Sequence, residues 1–300
     1  IDEDDLDVLV DLSTHTRGAR PGILARKPAR VAITHVASAG ALGMSAIDFK
    51  LTDRLADVEE NGQYLVERLL WTEGCVYPMR RIEPSPDPAL RRRDLGIADD
   101  AVVIGAFVTP LKLSRRTMAL WREILERLPD ARLAFSPNAG WLQGTYPAIL
   151  ASAGVDPARA VFIPQLAGDE ANLARYALVD LVLDPMPFGN VNGTFEPLSM
   201  HVPVVTLRGR MHGERTGYSI LAHLGETPTV ATTGKEYVEI AVRLGTDPAF
   251  MRDVRASIAS RLAQSALADP VAYIRDLEST YARALAGVAR PEEPGDAVGR

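Results

Sequence analysis

Short apolar runs alternate along this chain with longer stretches in which apolar positions recur every three or four residues. VVIGAFV (102–108), ARLAFS (131–136), AVFIP (160–164), DLVLD (180–184), PVVTL (203–207) and PTVAT (228–232) read as buried strands. Between the first two, RRTMALWREILERL sets Met118, Trp121, Leu125 and Leu128 at i, i+3, i+7 and i+10, one face of a helix. Thr233 with Glu236 three residues on is a capping-box start for a helix ending at Gly245, and two more helices are expected over 247–264 and 269–287. Strands and helices alternating at this spacing predict a parallel sheet with helices lying on it.

Ahead of this series, DVLVDL (7–12), RVAITHV (30–36) and FKLTD (49–53) read as strands of a separate unit. PSPDPALRRRDLG (84–96) has the composition of a linker leading into a helix. The expected division is therefore 1–92, the C-terminal part of one Rossmann-like domain, then 93–288, a second Rossmann-like domain, and 289–300, a tail. The first part is too short for a full doubly wound domain, which predicts further chain ahead of Ile1. No repeat of 20–50 residues interrupts either part.

Composition narrows the function. With 300 residues, 47% of them apolar, the chain can bury a large core. The net charge of −6 comes from Arg and Asp/Glu mixed throughout, so no basic stripe points to nucleic acid or to an anionic membrane. A single cysteine, Cys75, excludes an internal disulfide and Cys-rich metal ligation. No apolar stretch approaches the roughly 20 residues of a membrane span. The acidic start IDEDDLD is unlike a signal peptide, so a cytoplasmic protein is expected.

Three loops follow strands of the inferred sheet and enter helices, the place where open parallel sheets bind ligands. In PMPFGNVNGTFEP (185–197), Pro197 has no N–H, which predicts a helix starting at Thr194 or Phe195 with Thr194 as N-cap. The free amides near Gly193 to Glu196 then suit a diphosphate, while the Glu196 carboxylate suits sugar or ribose hydroxyls. The spacing alone fits a capped helix after a Gly/Pro loop equally well. In VTPLKLSRRT (108–117), Lys112 can neutralise a departing phosphate, and in GRMHGERTGYSIL (209–221), His212 and Arg215 stand near a helix start.

At these residues the chain resembles the nucleocytoplasmic protein glycosyltransferases, glycosyltransferase family 41, which includes O-GlcNAc transferase, the SPINDLY proteins and the bacterial adhesin N-glucosyltransferases. DLSTHTRGARPGILARKPARV (11–31), IDFKLTD (47–53) and EYVEIAVRLGTD (236–247) carry the resemblance across almost the whole chain. It implies a GT-B fold, two Rossmann-like parallel-sheet domains facing a cleft with the N-terminal one incomplete here. It also implies an inverting, metal-independent transfer of a hexose from a UDP-sugar to a protein side chain, Asn or Ser/Thr. By the same resemblance Lys112 supports the leaving diphosphate, and Thr109, Asn190, Asn192, Gly193, Thr194, Glu196, His212 and Arg215 line the donor. His15, His35 and Gly40 are acceptor-side candidates. The partners implied are a UDP-sugar, a protein or peptide acceptor and an N-terminal repeat or accessory domain; no cofactor, metal, nucleic acid or membrane is called for.

The chain departs from O-GlcNAc transferase at Val191, Asn192 and Gly193, where a His and paired Thr hold the donor phosphates. FGNVNG (188–193) instead matches the adhesin glucosyltransferases, Asn172 stands where several members carry a His near the base, and ASAGALG (37–43) lacks a Tyr and a Pro. These changes keep a second reading open, a non-catalytic member that binds nucleotide or protein. A dehydrogenase ranks last, because no G-x-G-x-x-G follows a first strand.

Overall fold

The computed structural model describes residues 1–35, 40–80, 90–136, 144–164 and 166–288, and the chain divides by packing into two α/β units. The first holds a four-stranded parallel sheet in the order β1 (Val8–Asp11), β2 (Val31–Thr34), β3 (Phe49–Thr52) and β4 (Arg68–Trp71), with the short helix α1 (Pro21–Leu24). Strand β2 is buried along its whole length and β3 likewise. The sequence pattern missed β4, an edge strand whose first residue is exposed and whose apolar positions do not alternate cleanly.

In the second unit lies a six-stranded parallel sheet built from β5 (Val103–Gly105), β6 (Arg132–Phe135), β7 (Ala160–Phe162), β8 (Leu181–Leu183), β9 (Val204–Leu207) and β10 (Val230–Ala231). Their spatial order is β10-β9-β8-β5-β6-β7. Numbered within the unit this is 6-5-4-1-2-3, the doubly wound order, in which the chain reverses direction across the sheet between β5 and β8. All six strands expected from the apolar runs are present.

The helices of this unit are α2 (Arg115–Arg127), α3 (Thr145–Ser152), α4 (Asp169–Ala174), α5 (Asn192–Ser199), α6 (Thr216–Leu224), α7 (Gly234–Thr246) and α8 (Pro248–Gln264). Helix α2 buries Met118, Trp121 and Leu125 as its spacing predicts. Ser114 caps it, its hydroxyl accepting the Thr117 N–H at 3.1 Å. The cap of α7 is also as expected: the Thr233 hydroxyl accepts the Glu236 N–H at 3.1 Å.

Two expectations need correction. The units part between Val76 and Tyr77 rather than at 92/93, and the closing helix α9 (Pro270–Ala286) packs with the first unit from Val271 on. Asp276 accepts the N–H groups of Glu73 (3.1 Å) and Gly74 (2.8 Å), and Arg283 donates to the Trp71 carbonyl at 2.8 Å. Tyr77, by contrast, is buried against His212 of the second unit. Linker-like composition marks where a chain is exposed, whereas the packing boundary follows these contacts. The expected tail 289–300, positions 36–39 and much of the expected linker (81–89) lie outside the described residues.

The second correction concerns α5, which begins at Asn192, two residues before the expected cap. Thr194 is no N-cap: its hydroxyl donates to the Asn190 carbonyl at 2.7 Å, and Val191 precedes the helix without a side-chain cap. Pro197 consequently sits inside the helix, where it supplies no N–H to the Gly193 carbonyl. Among the described residues, no helix is long and apolar enough to cross a membrane.

Candidate functional site

The reversal between β5 and β8 splays the loops that follow them, and the two loops meet at Lys112. This residue lies in a short turn, Pro110–Lys112, that carries it from the end of β5 toward α2. Its ammonium donates to the Gly189 carbonyl at 2.9 Å and to Asn190 Oδ1 at 2.6 Å, and stands 4.5 Å from the centre of the Phe188 ring. Burial pushes the Lys112 pKa below that of a free lysine, and the charge of Asp184 opposes the shift.

The loop after β8 is held from three sides. The hydroxyls of Ser114 and Thr117, at the head of α2, donate to the Met186 carbonyl at 2.6 and 2.7 Å. Asp184 accepts the Asn190 N–H at 2.9 Å, and the Gly189 N–H donates to the Gly213 carbonyl at 2.8 Å. That last bond joins it to the loop carrying His212 and Arg215. Two of the three loops singled out in the sequence are thus directly bonded to each other, and Lys112 ties in the third.

Gly193 packs its backbone tightly against the Asn190 side chain. A Cβ there would lie 2.9 Å from Cβ of Asn190, the side chain that receives Lys112. Gly193→Ala is therefore expected to displace the Asn190 amide at a cost of about 1–3 kcal/mol in overpacking. The check is nucleotide-sugar affinity by calorimetry, which falls several-fold or more if Asn190 is part of the site. The first amides of α5, those of Asn192 and Gly193, have no intrahelical carbonyl to bond and are free for an anion. Asn192 itself is exposed.

Glu196, on α5, lines a cavity of about 220 Å³ with Pro78, Arg80, Asp169, Leu173 and Asn192 among its walls. The Tyr176 hydroxyl donates to Glu196 Oε2 at 2.8 Å, and the buried Arg175 guanidinium stands 3.7 Å from the same oxygen. Arg175 is held by Ser136 Oγ (2.6 Å) and the Asn172 carbonyl (2.7 Å). Glu196 is thus oriented from behind by two residues with no sequence motif. Asn172 sits on α4, its Oδ1 buried without a hydrogen-bond partner.

His212 Nε2 lies 2.7 Å from the Tyr77 hydroxyl, and both rings are buried. Arg215 is buried too, donating to the Gly209 carbonyl at 3.0 Å with its guanidinium over the Tyr218 ring. Thr109 is exposed at the start of the Lys112 turn, where its carbonyl accepts the Lys112 N–H at 3.0 Å. Thr194 is fully buried and serves the loop's own backbone.

The acceptor-side candidates all belong to the first unit. His15 is exposed with Nε2 2.9 Å from the Ala41 carbonyl, and Gly40 is exposed beside it in sequence. His35 is buried at the end of β2, 3.0 Å from the Tyr273 hydroxyl, and burial pulls its pKa down to about 4. A ring so placed is neutral near pH 7 and engaged with the closing helix.

The sequence reading missed Asp184, Arg175, Tyr176 and Tyr77. Only Asp184 carries a local signal, a carboxylate closing an otherwise apolar buried strand.

Residues 85–277 match the family model described as glycosyl transferase family 41. A SPINDLY protein of Petunia hybrida, described as a probable UDP-N-acetylglucosamine–peptide N-acetylglucosaminyltransferase, is 31% identical over 288 residues, which are 94% of this chain and 30% of that protein. The chain thus spans about a third of the length of the curated relatives it matches. Among solved structures, a mutant of the Thermobaculum terrenum O-GlcNAc transferase superposes with a TM-score of 0.82 at 28% identity, covering 95% of this chain and 54% of that one. WaaG, a glycosyltransferase of lipopolysaccharide biosynthesis, shares the fold at a TM-score of 0.50 and 14% identity, over 90% of this chain and 84% of its own. The two parallel-sheet α/β units are of the GT-B class.

Proposed function

We propose, from the premise that this chain belongs to glycosyl transferase family 41, that it transfers a hexose from a UDP-sugar to a protein side chain with inversion at the anomeric carbon. One observation above all supports the reading. The Lys112 ammonium is laid across Gly189 O and Asn190 Oδ1 at the switch point of the sheet, beside the free amides of α5. A diphosphate seated there meets one cation and a set of backbone donors, the arrangement that stabilises charge on a leaving group.

In the proposed reaction an acceptor side chain attacks C1 of the sugar from the face opposite the diphosphate, the C1–O bond breaks, UDP departs with the bonding pair, and the proton of the attacking N–H or O–H is released to solvent. Lys112, the amides of Asn192 and Gly193, and Arg215 offset the charge that develops on it, so no metal ion is required. Thr109, Asn190, Asn192, Gly193 and Thr194 shape the diphosphate and sugar pocket, with Thr194 acting through the Asn190 backbone. His212 closes its far wall against Tyr77. Glu196, held from behind by Tyr176 and Arg175, presents its remaining oxygen to hydroxyls of the donor. A donor held by Asn190 and Asn192, with Val191, Asn192 and Gly193 where a His and paired Thr stand in O-GlcNAc transferase, favours a glucose-type donor over N-acetylglucosamine. The acceptor is a protein or peptide, with His15, His35 and Gly40 as the acceptor-side candidates. The whole protein is proposed to act in the cytoplasm and to carry a repeat or accessory domain that captures its acceptor.

The test is to offer the full-length protein UDP-glucose, UDP-N-acetylglucosamine and GDP-fucose, and to measure donor hydrolysis and transfer to peptides bearing Asn or Ser/Thr. Absence of both binding and turnover with every donor overturns the proposal, whereas UDP binding without turnover supports the non-catalytic reading. Glu196→Ala is expected to weaken donor binding by about 10–100-fold, as loss of a hydrogen bond to a charged group does, with kcat nearly unchanged. An effect mainly on kcat contradicts the hydroxyl-contact role.

A further inference from the structure

Beneath the Lys112 contact lies a carboxylate for which the proposed chemistry has no direct use. Asp184 follows β8 and is only 4% exposed. Oδ1 accepts the Asn190 N–H at 2.9 Å, and Oδ2 accepts the Thr206 hydroxyl at 2.8 Å. Two glycines make room for it. A Cβ on Gly217 would stand 2.4 Å from Oδ2, and one on Gly189 3.0 Å from the same atom.

Geometry alone does not require a carboxylate here. An asparagine would meet the same two partners, since its amide oxygen accepts from the Asn190 N–H and its amide nitrogen donates to the Thr206 hydroxyl, which can also accept. It would do so without the cost of burying a charge. What only the aspartate adds is negative charge. Each packed element has a distinct face toward it: β9 presents Thr206, α6 presents Gly217, α7 presents Tyr237, whose hydroxyl donates to the Asp184 carbonyl at 2.9 Å, and the loop after β5 presents Lys112. Lys112 is the one cation among them. Its ammonium rests on Gly189 and Asn190, the residues whose backbone the Asp184 carboxylate positions.

We propose that Asp184 is the positioning residue of this site: it fixes the two oxygens that hold Lys112 and supplies the buried counter-charge that keeps the ammonium protonated before an anionic ligand arrives. The inference rests on the reading of Lys112 as the group that meets the donor diphosphate. Burial works against both charges, pulling the Lys112 pKa down and pushing Asp184 up to about 6, and each charge opposes the shift of the other. Above about pH 6 the Asp184 carboxylate is therefore ionised, and it offsets the ammonium charge for as long as Lys112 holds its proton.

The experiment measures the titration of Lys112 itself, in the full-length protein without substrate, so that it does not depend on turnover. Trace acetic anhydride labelling between pH 6 and 11, quantified by peptide mass spectrometry, gives its midpoint, with the exposed Lys235 as internal reference. Asp184→Asn is expected to lower the Lys112 midpoint by about one pH unit or more and to raise its labelling below that midpoint about tenfold, leaving Lys235 unchanged. Asp184→Ser, which also removes the charge and keeps a hydroxyl for hydrogen bonding, is expected to move Lys112 the same way, and serves if Asp184→Asn does not fold. An unshifted Lys112 midpoint in a folded Asp184→Asn or Asp184→Ser protein overturns the proposal. Failure to transfer any sugar overturns the proposed function and leaves the Lys112 titration standing.

Discussion

Replacing Lys112 with alanine is expected to lower kcat for sugar transfer by about 10²–10³-fold, the effect of deleting one preorganised donor from a site where charge develops on an oxygen. The fold should not change with it. Lys112 is half-buried in a surface turn, and the groups its ammonium touches, the Gly189 carbonyl and Asn190 Oδ1, are acceptors that water can serve once the side chain is gone. Equal melting temperatures with lost turnover support the role; unchanged turnover, or lost turnover with a collapsed melting temperature, contradicts it. Lys112→Arg is expected to rescue poorly. The planar guanidinium is wider than the ammonium and cannot occupy the same point between two oxygens and the Phe188 ring.

The largest loss of stability is expected from Trp121→Ala, at about 3–5 kcal/mol. Trp121 is completely buried, and its indole N–H donates to the Tyr237 hydroxyl at 3.1 Å, which in turn donates to the Asp184 carbonyl at 2.9 Å. Truncation leaves a cavity between α2 and α7 and strips one partner from a fully buried tyrosine. A change of that size corresponds to a fall in melting temperature of at least about 6 °C for a unit of this length. Trp121→Phe retains most of the volume and should cost less. Calorimetric scans of the three proteins separate the packing contribution from the lost hydrogen bond. Nucleotide affinity measured on the folded fraction reports whether the chain from Trp121 to Asp184 reaches the site.

The strands of the second unit were legible because each is a short apolar run bounded by turns, with β5, β8 and β9 buried along their whole length. Helix α2 was legible because its apolar residues repeat at the helical period, and the Thr233 cap because capping is a contact between residues three apart. The start of α5 was not. Pro197 argued for a late start, but the helix begins earlier because its first turn is anchored elsewhere. Thr194 bonds back to Asn190, and Asn190 to Asp184 and Lys112. The division of the chain was misplaced for a similar reason: α9 is joined to residues 71–76 by contacts about two hundred positions away.

Within the candidate site, the sequence by itself picked out the strand-end loops on which the proposed function draws. Lys112, Asn190 and Glu196 lie in recognisable stretches at strand ends, and local pattern is enough to find strand ends. Only the tertiary structure decided how those residues are held. Asp184 beneath the loop, Tyr176 and Arg175 behind Glu196, and Tyr77 against His212 come from separate elements and have no spacing in common. Hydrogen-bond partners and charge compensation depend on distance in space and on exclusion of water. Those are settled when the sheet brings β5, β8 and β9 side by side, so no short stretch of the chain records them.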